Sequence, residues 1–235
     1  MFLTSRYHKA RVFKWDWLVF SFCLIFFSVF PNFDLLVASL TWSDEGKFEF
    51  AENFWVRFLY FVFAKIHFAY LGLLLCLWIS QWIKKTPPIK HQIRVHALFL
   101  LTALILGPGL VVNYGLKENW GRARPREVIE LGGANHYTPP LVMSAECKGN
   151  CSFVSGHASG AFFILSLIWV FRKRRWFWLG IGLGGLVGMG RILQGGHFVS
   201  DVVFAFWAVY FSSLLAAMTF NLSASSANDN SRILS

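Results

Sequence analysis

Apolar residues gather along this chain in long blocks, each bounded by charged or turn-forming residues. Six blocks stand out: Trp15 to about Phe33, Phe54 to Ile83, Val95 to about Leu116, Gly156 to Phe171, Trp176 to Gly190, and Val199 to about Leu222. A bilayer core about 30 Å thick asks roughly 17–25 apolar residues of a helix, so the pattern predicts an all-α, six-transmembrane-helix bundle. The fourth and fifth blocks are short and are expected to tilt or to extend at their ends. A long polar stretch separates the third block from the fourth. No internal repeat or soluble domain is visible, which predicts one domain over 1–235 with its core motifs in 95–222. The polar tail 223–235 is expected to be disordered and cytoplasmic.

Composition supports lipid as the solvent. The 235 residues are 56% hydrophobic and 14% charged, where a soluble domain carries about 25% charged residues. Arg6, Lys9, Arg11 and Lys14 ahead of the first block also fit a cleaved signal peptide. The block is long, Phe-rich and lacks a small-x-small cleavage site, so it is read as a span. Of eleven tryptophans, Trp15, Trp17, Trp55, Trp82, Trp120 and Trp176 fall at span ends, where an amphipathic ring prefers the headgroup level. Trp207 is the exception.

Basic residues in short loops stay cytoplasmic. Besides the N-terminal four, Lys84, Lys85, Lys90 and Arg94 lie between spans two and three, and Arg172, Lys173, Arg174 and Arg175 between four and five. These segments are read as cytoplasmic, with both termini. They also account for most of the net charge of +10, so nucleic acid is not needed as a partner. The opposite loops hold Asp34, Asp44, Glu45, Glu49 and Glu52 around Lys47, and then Lys117, Arg122, Arg124, Arg126 and Lys148, followed by Arg191. Five cations in a loop that must be translocated serve something other than topology, and an anionic ligand is the simplest purpose.

Cys23 and Cys76 fall within spans and read as small buried apolar groups. Cys147 and Cys151 bracket a turn, Cys-Lys-Gly-Asn-Cys, in a loop assigned to the outside, where a disulfide persists. The alternative, half of a metal site, finds no further Cys or His nearby to complete a tetrahedral set. Lys65 and His67 sit inside the second span, either snorkelling or bonding another helix, or else facing a polar pocket.

Three clusters carry chemistry. In Lys117-Glu-Asn-Trp-Gly-Arg-Ala-Arg124-Pro125, an ammonium and a guanidinium lie near one face if the helix continues, although Pro125 argues that it stops. Such groups cradle phosphate, or else hold a helix end at the outer leaflet. Ser155-Gly156-His157 opens the fourth span, offering backbone N–H groups and the positive dipole end to an oxyanion, or simply a helix cap. His197 and Asp201 stand at i and i+4. A carboxylate taking the proton of one ring nitrogen leaves the other free as a nucleophile; the alternative is a buried pair joining helices.

Lys117-x6-Arg124-Pro125, then Ser155-Gly156-His157, then Arg191-x5-His197-x3-Asp201 resembles the tripartite signature of the type-2 phosphatidate phosphatase superfamily, which also includes vanadium haloperoxidases and glucose-6-phosphatase. The resemblance covers roughly residues 95–222. Two positions depart from it: Val154 stands where the second motif usually has proline, and Gly190 where the third has serine. The resemblance implies that Lys117, Arg124 and Arg191 hold the phosphate oxygens, helped by Ser155 and the Gly156 amide. It implies that His197 attacks phosphorus, that Asp201 orients it, and that His157 protonates the leaving oxygen and then activates water. Three cations supply the charge stabilisation that phosphoryl transfer needs, so no metal or other cofactor is expected.

The stretch Asn150–Ser159, with Gly121–Arg126 and Thr138–Leu141, resembles the bacterial lipid A phosphatase branch, especially the 4′-phosphatases. The implied partner is a lipid phosphate entering from the bilayer, with the site on the periplasmic side. Phosphatidylglycerophosphate, phosphatidate and undecaprenyl diphosphate are alternative substrates. In a different class, a transporter or lipid-binding protein uses the same cations to hold an anion without cleaving it.

Overall fold

The computed structural model of the protein describes residues 14–43, 45–83 and 89–222. Arg6, Lys9, Arg11, Asp44, Lys84, Lys85 and the tail 223–235, which carry part of the orientation and tail readings, lie outside the described residues. The described residues form helices and loops, with two isolated bridges, Trp42 to Phe48 and Val128 to Asn135.

Helix α1 (Lys14–Val29) stops two residues before Pro31, as expected where proline pushes its predecessor out of the helical region. The chain then turns 78° into the short α2 (Phe33–Ser39). Helix α3 (Phe54–Ala64) begins at Asn53, whose side chain accepts from the Trp55 and Val56 amides. A break at Lys65 bends the chain 41° into α4 (Ile66–Ile83), so the second predicted span is two segments. His67 lies just past the break, its ring 4.3 Å from that of Phe68.

Helix α5 (Ile89–Leu104) continues as a π-helical stretch, Ile105–Leu116, and a final turn α6 (Lys117–Asn119). Pro108 lies inside this stretch and cannot donate a backbone hydrogen bond, which is the sequence feature that favours loosening the helix there. Within the same stretch Asn113 Nδ2 donates to the Pro108 carbonyl at 2.7 Å.

The fourth predicted span is α7 (Gly156–Phe162), a 3₁₀ stretch Phe163–Ser166, and α8 (Leu167–Phe171), ended by Arg172 at φ 54°. The 3₁₀ turn rises about 2.0 Å per residue against about 1.5 Å in an α-helix and so lengthens a short element. Helix α9 (Arg174–Leu193) then returns, and α10 (Val199–Thr219) runs through the middle of the core. Along α9, Gly180, Gly184 and Gly188 face Leu165, Phe162 and Val202 so closely that an added Cβ lies 2.4, 2.0 and 2.3 Å from them. Small residues let backbones approach where lipid supplies no hydrophobic drive.

Three helical stretches are long and apolar enough to cross a bilayer, Gln92–Asn119, Arg174–Leu193 and Val199–Thr219, and the two bent pairs raise the number to five. Gly156–Phe171 is apolar but shorter. The outward faces bear Trp15, Phe22, Phe61 and Leu73, all exposed, as an all-helical protein solvated by lipid requires. Trp207 is buried in the core, packed on Phe20 and Phe211, which accounts for its distance from any span end. A second, smaller core gathers Ala38, Phe48, Ala123, Val128, Leu131 and Phe198. It ties α2 and the loop after it to the long loop 120–155, at the end of the bundle where the chemistry lies.

Candidate active site

Lys117 occupies the last helical turn before the chain leaves α6, and its carbonyl accepts from the Cys151 amide at 3.1 Å. The helix does not continue to Arg124. Gly121 adopts φ +70° where an added Cβ would lie 1.7 Å from the Ser144 carbonyl oxygen, so only glycine fits the turn. Arg124 then precedes a 3₁₀ turn beginning at Pro125, with its amide held by Glu127 Oε2 at 3.0 Å and its Nη2 donating to the Asn150 carbonyl at 2.6 Å. Cys147 and Cys151 are joined by a disulfide across the turn that presents this carbonyl, their Cα atoms 5.7 Å apart.

Lys117, Arg124, Arg191 and His157 border one cavity of about 530 Å³, whose rim includes Arg57, Arg126, Glu52 and Asn150. The three motif cations are nearly enclosed by protein. Arg191 bonds Gln194 through Nη1, and Gly196 leaves the room its guanidinium occupies, since an added Cβ would lie 2.2 Å from Nη2. The ring of His157 stacks on Tyr60, centroids 4.8 Å apart, and Arg191 Cζ lies 4.8 Å from the same Tyr60 centroid. Buried Arg191 Nε, His157 Nε2 and His197 Nε2 have no hydrogen-bond partner in the protein. Buried polar atoms are usually paired, so the unmet Arg191 Nε–H donor in a cavity lined by three cations points to an anionic ligand.

His197, Asp201, Ser155 and Gly156 are not on the wall of this cavity. Ser155 is buried as the N-cap of α7, its oxygen accepting from the Ala158 amide at 3.4 Å, and its own amide donates to the Asp201 carbonyl at 3.0 Å. Gly156 lies beside Asn113 and Lys117; an added Cβ would be 2.8 Å from Asn113 Oδ1.

His197 is fully buried, not at a water-facing helix end. Its Nδ1 lies 2.7 Å from the Ser152 carbonyl and 3.5 Å from Asp201 Oδ2. A carbonyl can only accept, so Nδ1 carries the proton and Nε2 keeps its lone pair. The backbone of Ser152 therefore does the work that sequence spacing assigned to Asp201. Burial, then Arg191, Arg124 and Lys117, holds the imidazole well below its ordinary pKa of 6.5, so the ring is neutral.

Asp201 acts one step away. It accepts from Ser152 Oγ at 2.5 Å, the Phe198 amide at 2.8 Å and Arg122 Nη1 at 2.7 Å. Arg122, fully buried, also donates to Asp34 Oδ2 at 2.8 Å, the Thr138 carbonyl at 2.9 Å and Ser200 Oγ at 2.9 Å, and its Cζ lies 4.2 Å from the Phe198 centroid. Asp34 accepts from both the amide and the hydroxyl of Ser200. Arg122, Asp34, Ser152 and Tyr60 were missed in the sequence as parts of the site. Arg122 was visible only as one cation of five, and Asp34 as one acid of an outer loop.

The PAP2 superfamily model matches residues 96–224, more than half of the chain and the whole run from Lys117 to Asp201. The chain belongs to the PAP2 superfamily. Asp34 and Tyr60 lie outside the matched PAP2 region. A Lipid A 4′-phosphatase of Francisella tularensis subsp. novicida (strain U112) is 36% identical over 199 residues, covering 82% of this chain and 88% of its own. A Lipid A 4′-phosphatase of Rhizobium leguminosarum is 37% identical over 121 residues, 49% of this chain and 52% of its own. Another, from Rhizobium etli, is 37% identical over 121 residues, 49% of this chain and 47% of its own. No solved structure matches the chain.

Proposed function

We propose that this PAP2 membrane phosphatase is a lipid A phosphatase that removes the 4′-phosphate through a phosphohistidine on His197. The observation that carries the reading is the cavity ringed by Lys117, Arg124, Arg191 and His157, whose three cations act on the buried His197 imidazole, with Nδ1 held by the Ser152 carbonyl and Nε2 without a partner in the protein. The name shared by the relatives supplies the substrate. The three cations bind the phosphate oxygens and stabilise the charge that spreads over them as the bond to the leaving oxygen lengthens. Nε2 forms the bond to phosphorus as the P–O bond to the sugar breaks, and protonated His157 gives its proton to the departing oxygen. Water then attacks phosphorus, His157 takes its proton, the N–P bond breaks and inorganic phosphate leaves. The bound phosphate brings negative charge beside His157 and favours the protonated form that the first step needs.

The chain crosses a bacterial inner membrane six times in this reading, with Gly156–Phe171 as the short fourth crossing. The basic segments and both termini are cytoplasmic, the site is periplasmic, and the lipid enters sideways from the bilayer. An oxidising periplasm accommodates the Cys147–Cys151 disulfide.

The test is incubation of the purified protein in detergent with lipid A and EDTA, followed by mass spectrometry. Loss of one phosphate, assigned by fragmentation to the 4′ position, is the expected result. Unchanged lipid A with turnover of phosphatidylglycerophosphate, phosphatidate or undecaprenyl diphosphate overturns the substrate. No turnover on the whole panel favours a binder or transporter.

A further inference from the structure

Tyr60 belongs to α3, outside the region matched by the PAP2 model. It borders the cavity and touches two of its functional groups, with its ring centroid 4.8 Å from the His157 ring at an interplanar angle of 22°, and 4.8 Å from Arg191 Cζ. His157 and Arg191 come from different helices, α7 and α9. Neither His157 Nε2 nor Arg191 Nε is held by a hydrogen bond from the protein. Besides the Gln194 bond to Arg191 Nη1, it is the aromatic face of Tyr60 that lies against both groups. Leu59, the residue before Tyr60, reaches to within 3.8 Å of a Cβ built at Gly190, so α3 is seated against the start of the third motif.

We propose that Tyr60 is a positioning residue for phosphoryl transfer: its ring holds His157 as the acid for the leaving oxygen and keeps the Arg191 guanidinium aimed at the phosphate. The inference rests on the proposed role of His157. Stacking fixes the plane of a neutral imidazole, and the negative face of the phenol ring attracts it more strongly once it is protonated, so the ring favours the form that donates. The same attraction acts on Arg191 throughout the cycle. The hydroxyl has no part in this, so phenylalanine replaces tyrosine.

The experiment compares wild type, Tyr60→Phe, Tyr60→Leu and His157→Ala on two substrates: lipid A, whose alkoxide must be protonated to leave, and p-nitrophenyl phosphate, whose phenolate leaves unprotonated. Tyr60→Phe is expected to stay within about threefold of wild type on both, since the ring face is kept. Tyr60→Leu is expected to lose about a hundredfold in kcat on lipid A, with a far smaller loss on p-nitrophenyl phosphate and a raised KM on both. His157→Ala should show the same selectivity. A Tyr60→Leu enzyme that keeps wild-type kcat on lipid A, or loses equally on both substrates, overturns the inference, as does a Tyr60→Phe enzyme as poor as Tyr60→Leu. If His157→Ala is selective and Tyr60→Leu is not, this inference alone falls. If His157→Ala is itself unselective, the acid assignment fails and takes Tyr60 with it. Gel filtration and melting check the fold; Tyr60→Met replaces a misfolded leucine variant, and if neither folds the ring is a structural prop and the inference fails.

Discussion

Arg122 and Asp201 meet as a fully buried ion pair, Nη1 2.7 Å from Oδ1, although 79 residues separate them in the chain. On its other side the same guanidinium bonds Asp34, 88 residues away. Burying three charged groups is unfavourable unless each finds partners, and here the five N–H donors of Arg122 are occupied by Asp34, Asp201, Ser200, Tyr137 and the Thr138 carbonyl. Arg122→Met leaves two carboxylates facing each other without a cation. The predicted cost is about 3–5 kcal/mol of stability, read as a fall in melting temperature in detergent. An unchanged midpoint refutes the clamp.

The separation of roles between Ser152 and Asp201 predicts an order of damage. His197→Ala removes the attacking nitrogen and is expected to abolish turnover and leave no acid-labile phosphoenzyme, at a fold cost of about 1–3 kcal/mol for the orphaned Ser152 carbonyl. Asp201→Asn keeps the carbonyl that fixes the tautomer, so reduced activity survives. It also presents an amide where Arg122, Ser152 and Phe198 all donate, so its melting temperature falls further than that of His197→Ala. Steady-state kinetics, phosphoenzyme trapping and melting on both variants check the order; equal rates for His197→Ala and wild type sink the nucleophile.

The environment of His197 sets a pH dependence. Its folded pKa is held below 6.5 by burial and by Arg191, Arg124 and Lys117, and the neutral ring is the nucleophile. The acid limb of kcat/KM for the free enzyme therefore lies below the ordinary histidine range. Arg191→Gln removes one repelling cation and moves that limb to higher pH. Stability follows the same sign: below pH about 6.5 the unfolded chain binds a proton that the folded state refuses, so stability is lost as pH falls from there toward the folded pKa. His197→Ala flattens that part of the stability curve. A limb at or above 6.5 in wild type contradicts the burial.

Gly184 tests how the site is seated in the bundle. An added Cβ would lie 2.0 Å from the Phe162 ring, which must move and push α7 from α9. Gly184→Val is expected to cost about 1–3 kcal/mol, the usual range for overpacking, and to lower kcat because α7 carries His157. Gly182, with open space around its Cβ position, is the control: Gly182→Ala should leave melting and activity near wild type.

The motif residues were legible because each cluster packs its chemistry into a few residues, and Lys117, Arg124, Arg191 and His157 do border one cavity. The tautomer of His197 was not legible, because its partner is a backbone carbonyl and every residue has one. Asp34 could not be matched to Arg122 across 88 residues by spacing, and Tyr60 is one aromatic among several in an apolar block. Apolar block length showed where helices lie but not their bends. Pro31 and Pro108 stand at two of the irregular places but are read through as parts of the first and third blocks, while the break at Lys65 carries no proline or glycine.

The Cys147–Cys151 disulfide acts on binding more than on chemistry, and its neighbours say why. Between the two sulfurs the chain presents the Asn150 carbonyl, which accepts from Arg124 Nη2 at 2.6 Å, with Asn150 in the left-handed region at φ 51°. Asn150 N donates to Glu118 Oε1 at 3.2 Å and Cys151 N to the Lys117 carbonyl at 3.1 Å. The small loop is thus bonded to the turn that carries one phosphate-binding cation and to the guanidinium of another. Opening it frees Asn150 to leave its conformation, and Arg124 loses the acceptor that aims it. Neither His157 nor His197 is touched. Reductant, or Cys147→Ser with Cys151→Ser, is therefore predicted to raise KM about ten- to a hundredfold, one hydrogen bond's worth to a charged donor, with kcat within about twofold. Stability should fall by about 2 kcal/mol. Kinetics with and without reductant, beside alkylation and mass mapping of the native protein, decide it: free thiols at both positions, or a loss confined to kcat, would overturn this account of the loop.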